Sequence, residues 1–160
     1  MHFIARMVLV APCTLALACA ATRSPVPTVT NTAPSRSVAP PSDHAADATL
    51  AQVYFWRARP GMTAEYDRYI REVAEPIDRE AQRAGAFVAV TTYATNDTTL
   101  TWTHMRVFLL RDSTQLQGLG AALSAAGARL EPDSTRRRLQ GEYSATLRDR
   151  VGAAVATIVK

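Results

Sequence analysis

The sequence predicts an α+β domain in which four antiparallel strands form one sheet with helices on one of its faces. Three observations carry this prediction. A strand-like alternating segment leads into a long helical stripe, a hairpin pattern follows, and a second helical region ends in a β-branched segment. The predicted order is strand, helix, strand, strand, helix, helix, strand. With right-handed connections this order gives the split βαβ, or ferredoxin-like, arrangement.

The first predicted strand lies in TLAQVYFWRARPG, where Val53 and Phe55 alternate with Tyr54 and Trp56. Alternation places these two pairs of side chains on opposite faces of the sheet. Pro60-Gly61 ends the strand, because a proline–glycine pair favours a turn.

The first predicted helix follows directly, with apolar residues recurring every three or four positions along one stripe. The stripe consists of Met62, Tyr66, Ile70, Val73, Ile77, Ala81 and Ala84. Thr63 is the predicted N-cap and Gly85 the predicted C-cap. Pro76 lies inside the pattern and is expected to kink the helix.

A hairpin is predicted in AFVAVTTYATNDTTLTWTHMRVFLLRD, residues 86–112, with Asn96-Asp97 as its two-residue turn. This turn places Tyr93 opposite Leu100 and fixes which side chains share a face. The predicted uncovered face carries Phe87, Tyr93, Trp102, His104, Arg106 and Phe108. The other face, which suits packing against helices, carries Val88, Val90, Met105, Val107 and Leu109. An exposed aromatic face of that size needs a partner.

Two more helices and a last strand complete the domain. The segment STQLQGLGAALSAAGARL gives the second helical pattern, and Asp133 or Ser134 can cap a third helix. The tail VGAAVATIVK, residues 151–160, is rich in β-branched residues and alanine and is predicted to be a strand.

The N-terminus, MHFIARMVLVAPCTLALACAA, is predicted to be an export signal. Its apolar run from Met7 to Ala18 is too short to span a bilayer comfortably and has the length of a signal-peptide core. The motif Leu15-Ala16-Leu17-Ala18-Cys19 resembles the lipobox of bacterial lipoproteins. That resemblance implies that the cysteine becomes the first mature residue and carries acyl chains such as palmitate. Ala16-Leu17-Ala18 also fits ordinary signal peptidase, so simple secretion stays open.

These features divide the chain into a signal peptide (1–18), a disordered tether rich in Pro, Ser, Thr and Ala (19–48) and a folded domain (49–160). The only other cysteine, Cys13, lies in the signal core, so the mature chain has no internal disulfide. Lipid on Cys19 would anchor the protein at the cell membrane or outer membrane, facing the periplasm or the outside. The alternative is a soluble periplasmic or secreted protein.

The formal net charge of +4 comes with arginines spread among acidic residues, without a basic stripe. We therefore expect no nucleic-acid partner. The sequence contains no P-loop, nucleophile elbow or dinucleotide-binding glycine pattern. Its histidines and carboxylates lack metal-ligand spacing. Neither a cofactor nor a metal is predicted.

The stretch VYFWRARPGMTAEYDRYI, together with the hairpin after it, resembles the dimeric α+β barrels, which include antibiotic-biosynthesis-type monooxygenases and NIPSNAP-like domains. The resemblance covers most of residues 50–160, and the helix near residues 134–147 departs from it. It implies a homodimer in which two sheets close face to face and a cavity can hold a small ligand. The family spans cofactor-independent enzymes, haem degraders and domains without known activity.

His104 is the candidate catalytic residue, as a general base or a haem ligand. The alternative is an inert, hydrogen-bonded histidine in a dimer interface. Arg106 could hold an anionic ligand or pair with a carboxylate of the partner subunit. The candidate ligand-binding residues are Trp102, Arg106, Tyr93, Trp56 and Tyr54. Core or interface packing explains their aromatic rings equally well.

The sequence therefore supports two main hypotheses. The first is an exported, lipid-anchored homodimer that binds a small hydrophobic or aromatic ligand or acts as a scaffold. The second is a cofactor-independent monooxygenase or haem-handling enzyme that uses His104, Trp102 and Arg106. A protein-interaction module is a third possibility.

Overall fold

The computed structural model describes residues 43–159, which form an α+β domain. Its elements are a 3-10 helix (Asp43–Asp47), β1 (Leu50–Ala58), α1 (Thr63–Tyr69), a π-helical turn (Ile70–Ala74), α2 (Glu75–Arg83), β2 (Ala89–Ala94), β3 (His104–Leu110), α3 (Ser113–Leu130), α4 (Ser134–Leu147) and β4 (Arg148–Thr157). Because α1, the π turn and α2 run on without a break, residues 43–159 contain three long helices besides the 3-10 helix. The predicted order of elements is confirmed.

The four strands form one antiparallel sheet in the order β2-β3-β1-β4. The main core lies between this sheet and α2 and α3, where Phe108 and Leu110 pack with Ala81, Leu119 and Ala126. A second core cluster, under α1 and α4, consists of Ala58, Tyr66, Ile70 and Leu147. The sheet with its helices is consistent with the ferredoxin-like fold that the sequence predicts.

The long first helix accommodates Pro76 with a π-helical turn in the residues just before it. Pro76 has no N–H to donate to the carbonyl four residues earlier, and its ring crowds that carbonyl. The N–H of Glu75 instead donates to the carbonyl of Ile70, five residues back, which defines the π turn. The disturbance predicted at Pro76 therefore takes the form of a π-helical turn.

Gly85 ends this helix, as the sequence predicts. Its φ is +79°, a conformation that glycine adopts without steric cost. The Gly85 N–H donates to the Gln82 carbonyl and the Ala86 N–H to the Ala81 carbonyl, which is a Schellman motif. At the other end, Thr63 is the first helical residue and Met62 occupies the N-cap position.

The third helix and the last strand follow each other without a loop. Asp133 is the N-cap of α4, and its Oδ1 accepts hydrogen bonds from the N–H groups of Thr135 and Arg136. The strand β4 begins at Arg148, not at Val151 as predicted. It pairs with β1 and forms an exposed edge of the sheet.

The hairpin register differs from the predicted one. Ala94 pairs with His104, so residues 95–103 form a long connection in place of the two-residue turn at Asn96-Asp97. Within this loop, Asp97 Oδ1 accepts hydrogen bonds from the N–H and the hydroxyl of Thr99. This local turn lengthens the connection. The register is displaced by an odd number of residues, which moves the β2 side chains to the other face relative to β3.

The helices cover the opposite face of the sheet from the predicted one. The side chains of Tyr54, Trp56, His104, Arg106 and Phe108 lie on the helix-covered face, where Phe87 packs edge-on against Phe108. The other face, here called the open face, carries Val53, Phe55, Met105, Val107, Leu109, Thr91 and Tyr93, with Gly152, Ala154 and Ala156 from β4. The prediction for His104, Arg106, Phe108 and Phe87 was wrong, because α1 and α2 supply carboxylates to the two polar side chains. Of the aliphatic set, Met105, Val107 and Leu109 are left on the open face, whereas Val90 packs against the helix-covered core.

The predicted signal peptide, Cys19 and most of the predicted tether lie outside the described residues. The end of that tether is described, as the 3-10 helix Asp43–Asp47. Among the helices of residues 43–159, none combines the length and the apolar character that crossing a membrane requires.

Candidate functional site

His104, the first residue of β3, lies between the sheet and α1 and is only 1% exposed. Its Nε2 is 3.0 Å from Oδ1 of Asp67, and its Nδ1 is 2.9 Å from Oγ1 of Thr103. The Tyr66 ring meets the imidazole edge-on, with 4.5 Å between the ring centroids. Both ring nitrogens have partners, so the imidazole is held in one orientation.

The hydrogen bonds of the Asp67–His104–Thr103 chain run in one direction. A carboxylate only accepts hydrogen bonds, so Nε2 of His104 carries the proton and donates it to Asp67. In the neutral imidazole Nδ1 accepts the hydroxyl proton of Thr103, which also lies 3.4 Å from the Trp56 carbonyl oxygen. The Thr103 oxygen accepts the Ala58 N–H at 2.7 Å. Carboxylate, imidazole and hydroxyl occur in the same order in hydrolase triads. The same hydrogen bonds also fit a purely structural role, in which they satisfy the buried polar groups at the start of β3.

Thr103 connects this buried chain to a cavity. The cavity has a volume of about 320 Å³ and lies between the β1–α1 turn and residues 95–98 of the long loop. Its lining includes Arg57, Thr63 and Asn96. The imidazole of His104 is therefore linked to this cavity through the hydroxyl of Thr103.

Arg106 forms an ion pair with Asp78 of α2 inside the helix–sheet layer, where the side chains are 14% and 6% exposed. Burial raises the pKa of Asp78 to about 6, and the Arg106 guanidinium opposes that shift. The guanidinium carbon lies 5.2 Å from the centroid of the Phe108 ring. Arg106 Nε is buried without a hydrogen-bond partner among the described residues. The sequence predicts that Arg106 holds an anionic ligand or pairs with a carboxylate of the partner subunit. In the structure its carboxylate partner is Asp78 of the same chain.

Trp102 and Tyr93 lie apart from this pair and from His104. The Trp102 ring packs against Phe55 on the open face, with 5.9 Å between the ring centroids. Tyr93 lies opposite Met105 on the same face and is 48% exposed. The predicted grouping of Trp102 with His104 is split, because Trp102 precedes β3 and strand alternation does not extend to it.

Tyr54 and Trp56 lie on the helix-covered face and stack with two arginines of β4. The guanidinium carbon of Arg148 is 3.5 Å from the centroid of Trp56. That of Arg150 is 4.9 Å from the centroid of Tyr54. The two rings predicted to stack a planar ligand therefore already have cationic partners.

Sequence reasoning missed the two carboxylates that organise this region. Asp67 directly follows Tyr66, and Asp78 directly follows Ile77. Tyr66 and Ile77 both belong to the apolar stripe of the first helix. A charged residue at the flank of a buried stripe is a signal that could have identified them. Arg148 gave no such signal, because its position depends on where β4 begins.

The described residues do not form a candidate metal site. Within 43–159, no group of three or more His, Cys, Asp or Glu side chains could hold one. Iron or haem could reach His104 only after one of its two hydrogen bonds breaks, since both ring nitrogens are engaged.

The fold and these side chains define a small α+β protein of ferredoxin-like architecture. No family model matches the chain, and no curated protein matches it. Among solved structures, the chain is similar to the crystal structure of HapK from Hahella chejuensis. That match has 8% sequence identity and a TM-score of 0.49, and it covers 69% of this chain and 92% of that chain. The function of the chain is therefore inferred from its own residues.

Proposed function

We propose that the protein is an exported, lipid-anchored homodimer of the dimeric α+β barrel type, which binds a small hydrophobic or aromatic ligand or acts as a scaffold. The open face of the sheet is the observation that carries this proposal. Its larger aliphatic and aromatic side chains on β1 and β3 are all only partly buried within one chain: Val53, Phe55, Met105, Val107 and Leu109. Monomeric soluble proteins rarely leave a contiguous apolar surface of this kind in water.

The edge strand β4 favours a second copy of this sheet as the cover. It adds the small residues Gly152, Ala154 and Ala156 to the open face, which lets another sheet approach closely. Tyr93 supplies bulk on the β2 side of the same face, and Trp102 packs against Phe55 of β1. A two-fold axis parallel to the strands would set the bulky side of one copy against the small side of the other. An aromatic ligand between the sheets would meet the same two rings.

The export part of the proposal depends on the sequence of residues 1–48. Lipid on Cys19 would hold the domain at a membrane through the tether, and nothing in the domain itself needs to enter the bilayer. If signal peptidase cleaves after Ala18 without acylation, the same homodimer would be a soluble periplasmic or secreted protein.

We expect Val107→Asp to turn the dimer into a folded monomer, because it places a carboxylate in the middle of an apolar interface. Val107 lies between Arg106 and Phe108, which face the helices, so its own side chain faces away from the core. Native mass spectrometry of the exported protein at micromolar concentration measures the change, and circular dichroism confirms folding.

The matched control is Leu139→Asp, the same kind of change at a half-exposed position of α4. We expect this variant to stay dimeric. A monomeric wild type, or a Val107→Asp variant that dimerises as the wild type does, would contradict the proposal. Extra mass on the wild-type dimer would identify the ligand and exclude a pure scaffold.

A second candidate function is the enzyme alternative, a cofactor-independent monooxygenase or haem-handling protein. The Asp67–His104–Thr103 chain favours the monooxygenase form, because a carboxylate-oriented imidazole is the arrangement that a general base needs. Haem titration followed by absorbance tests the haem-handling form. We expect a shifted Soret band in the wild type and none in His104→Gln if His104 ligates the iron. Identical spectra in both proteins would argue against this role.

A further inference from the structure

A cavity between α4 and β4 holds an unusual concentration of arginine. Its volume is about 300 Å³, and its lining includes Trp56, Arg59, Ser144, Arg148 and Arg150. Such a volume is at the lower end of the range for small-molecule sites. The cavity lies on the helix-covered side of the sheet, away from the open face.

The cations of this cavity are only partly balanced. Asp149 is the one carboxylate in the lining, and it pairs with Arg59 at 2.9 Å. Arg148 and Arg150 form no ion pair with any residue in the described part of the chain. The cavity therefore carries two positive charges without a carboxylate partner.

Arg148 is held firmly in place. Its Nε donates a hydrogen bond to Ser144 Oγ at 3.0 Å. Its guanidinium lies against Trp56, and it is 5.2 Å from the centroid of Tyr66. Burial lowers the pKa of Arg148, but an arginine stays charged at neutral pH. Stacking with aromatic rings compensates a buried cation less fully than an anion does.

We propose that this cavity binds a small oxyanion, a carboxylate or phosphate group, through the guanidinium groups of Arg148 and Arg150. Guanidinium presents paired N–H donors that match the oxygens of either group. Trp56 and Ser144 fix the orientation of Arg148 before the ligand arrives, which lowers the entropy cost of binding. The site does not depend on the dimer proposed above, since none of these side chains lies on the open face.

Isothermal titration calorimetry with sodium phosphate and sodium benzoate, each against sodium chloride at matched ionic strength, tests the site. We expect saturable binding of at least one of the two oxyanions and none of chloride. Which probe saturates distinguishes a phosphate site from a carboxylate site. The chain has two tryptophans, so emission from the Trp102→Phe variant reports binding next to Trp56.

Two variants separate binding from folding. Arg148→Met should abolish saturable binding, and Arg150→Gln, at an exposed position, should weaken it by about tenfold or more. Arg136→Gln, an exposed arginine at the start of α4, is the control and should bind as the wild type does. If Arg148→Met fails to fold, Arg150→Gln still decides the question. A wild type that treats both oxyanions as it treats chloride, or unchanged affinity in Arg150→Gln, would overturn the proposal.

Discussion

Asp78→Ala is expected to destabilise the domain by about 3 kcal/mol or more at neutral pH. The Asp78 carboxylate is 6% exposed and is the ion-pair partner of Arg106. Removing it leaves a largely buried cation beside Phe108, and Arg106 Nε already has no hydrogen-bond partner among the described residues. Equilibrium urea unfolding followed by circular dichroism measures the free energy of unfolding.

The double variant Asp78→Leu/Arg106→Met separates the pair from its surroundings. It should regain most of the lost free energy of unfolding, because apolar residues of similar volume often replace a buried ion pair at little cost. Arg129→Ala is the matched control. Arg129 pairs with Glu80 at 2.7 Å and is 47% exposed. Because solvent screens that pair, Arg129→Ala should lower the free energy of unfolding much less than Asp78→Ala does. Equal effects of Asp78→Ala and Arg129→Ala would show that burial adds nothing to the Asp78–Arg106 pair.

The same carboxyl group makes the stability of the domain depend on pH. The ordinary pKa of an aspartate, 3.8, applies in the unfolded chain, and burial raises the pKa of Asp78 in the folded domain to about 6. Between these values the folded state binds more protons than the unfolded state, so this group's contribution to stability falls as the pH rises. The advantage of the wild type over Asp78→Asn should therefore narrow by up to about 3 kcal/mol from about pH 4 to about pH 7. An advantage that is constant or grows over this range would show that the pKa is not raised.

The order of elements could be predicted because each element carries its own local signal. The apolar stripe of the first helix ends at Gly85, whose positive φ completes the cap. Asp133 caps α4 with its own side chain. The start of β4 was less predictable, since no turn residue separates Leu147 from Arg148. Local chemistry decides helix ends, whereas pairing with β1 decides where β4 begins.

The assignment of sheet faces could not be predicted, because it depends on interactions between distant residues. The length of the loop between β2 and β3 sets the register, and an odd displacement exchanges the faces. A histidine and an arginine on one strand face suggest exposure to solvent. They become buried here only because Asp67 and Asp78 approach from a helix that lies far away in the sequence. Alternation correctly places His104 and Arg106 on one face of the sheet. Their burial can be predicted only when their carboxylate partners are known.

His104→Ala is expected to lower the free energy of unfolding by about 2 to 4 kcal/mol. The imidazole is 1% exposed, so its removal leaves a cavity next to Tyr66 and deletes two hydrogen bonds. Its former partners differ in what they lose. Asp67 is 32% exposed and can turn to water, and the Thr103 oxygen keeps the Ala58 N–H. Most of the loss should therefore come from packing, and urea unfolding measures it.

A double-mutant cycle with Asp67→Ala shows whether the imidazole and the carboxylate act together. If His104 has a structural role, Asp67→Ala should cost about 1 kcal/mol less in the His104→Ala background than in the wild type. Asp112→Ala, which removes the N-cap of α3 on a different element, is the control and should add independently. A His104→Ala variant as stable as the wild type would mean that the protein retains a buried imidazole without a gain in stability. That outcome would favour the enzyme alternative, in which the oriented imidazole of His104 acts through the Thr103 hydroxyl.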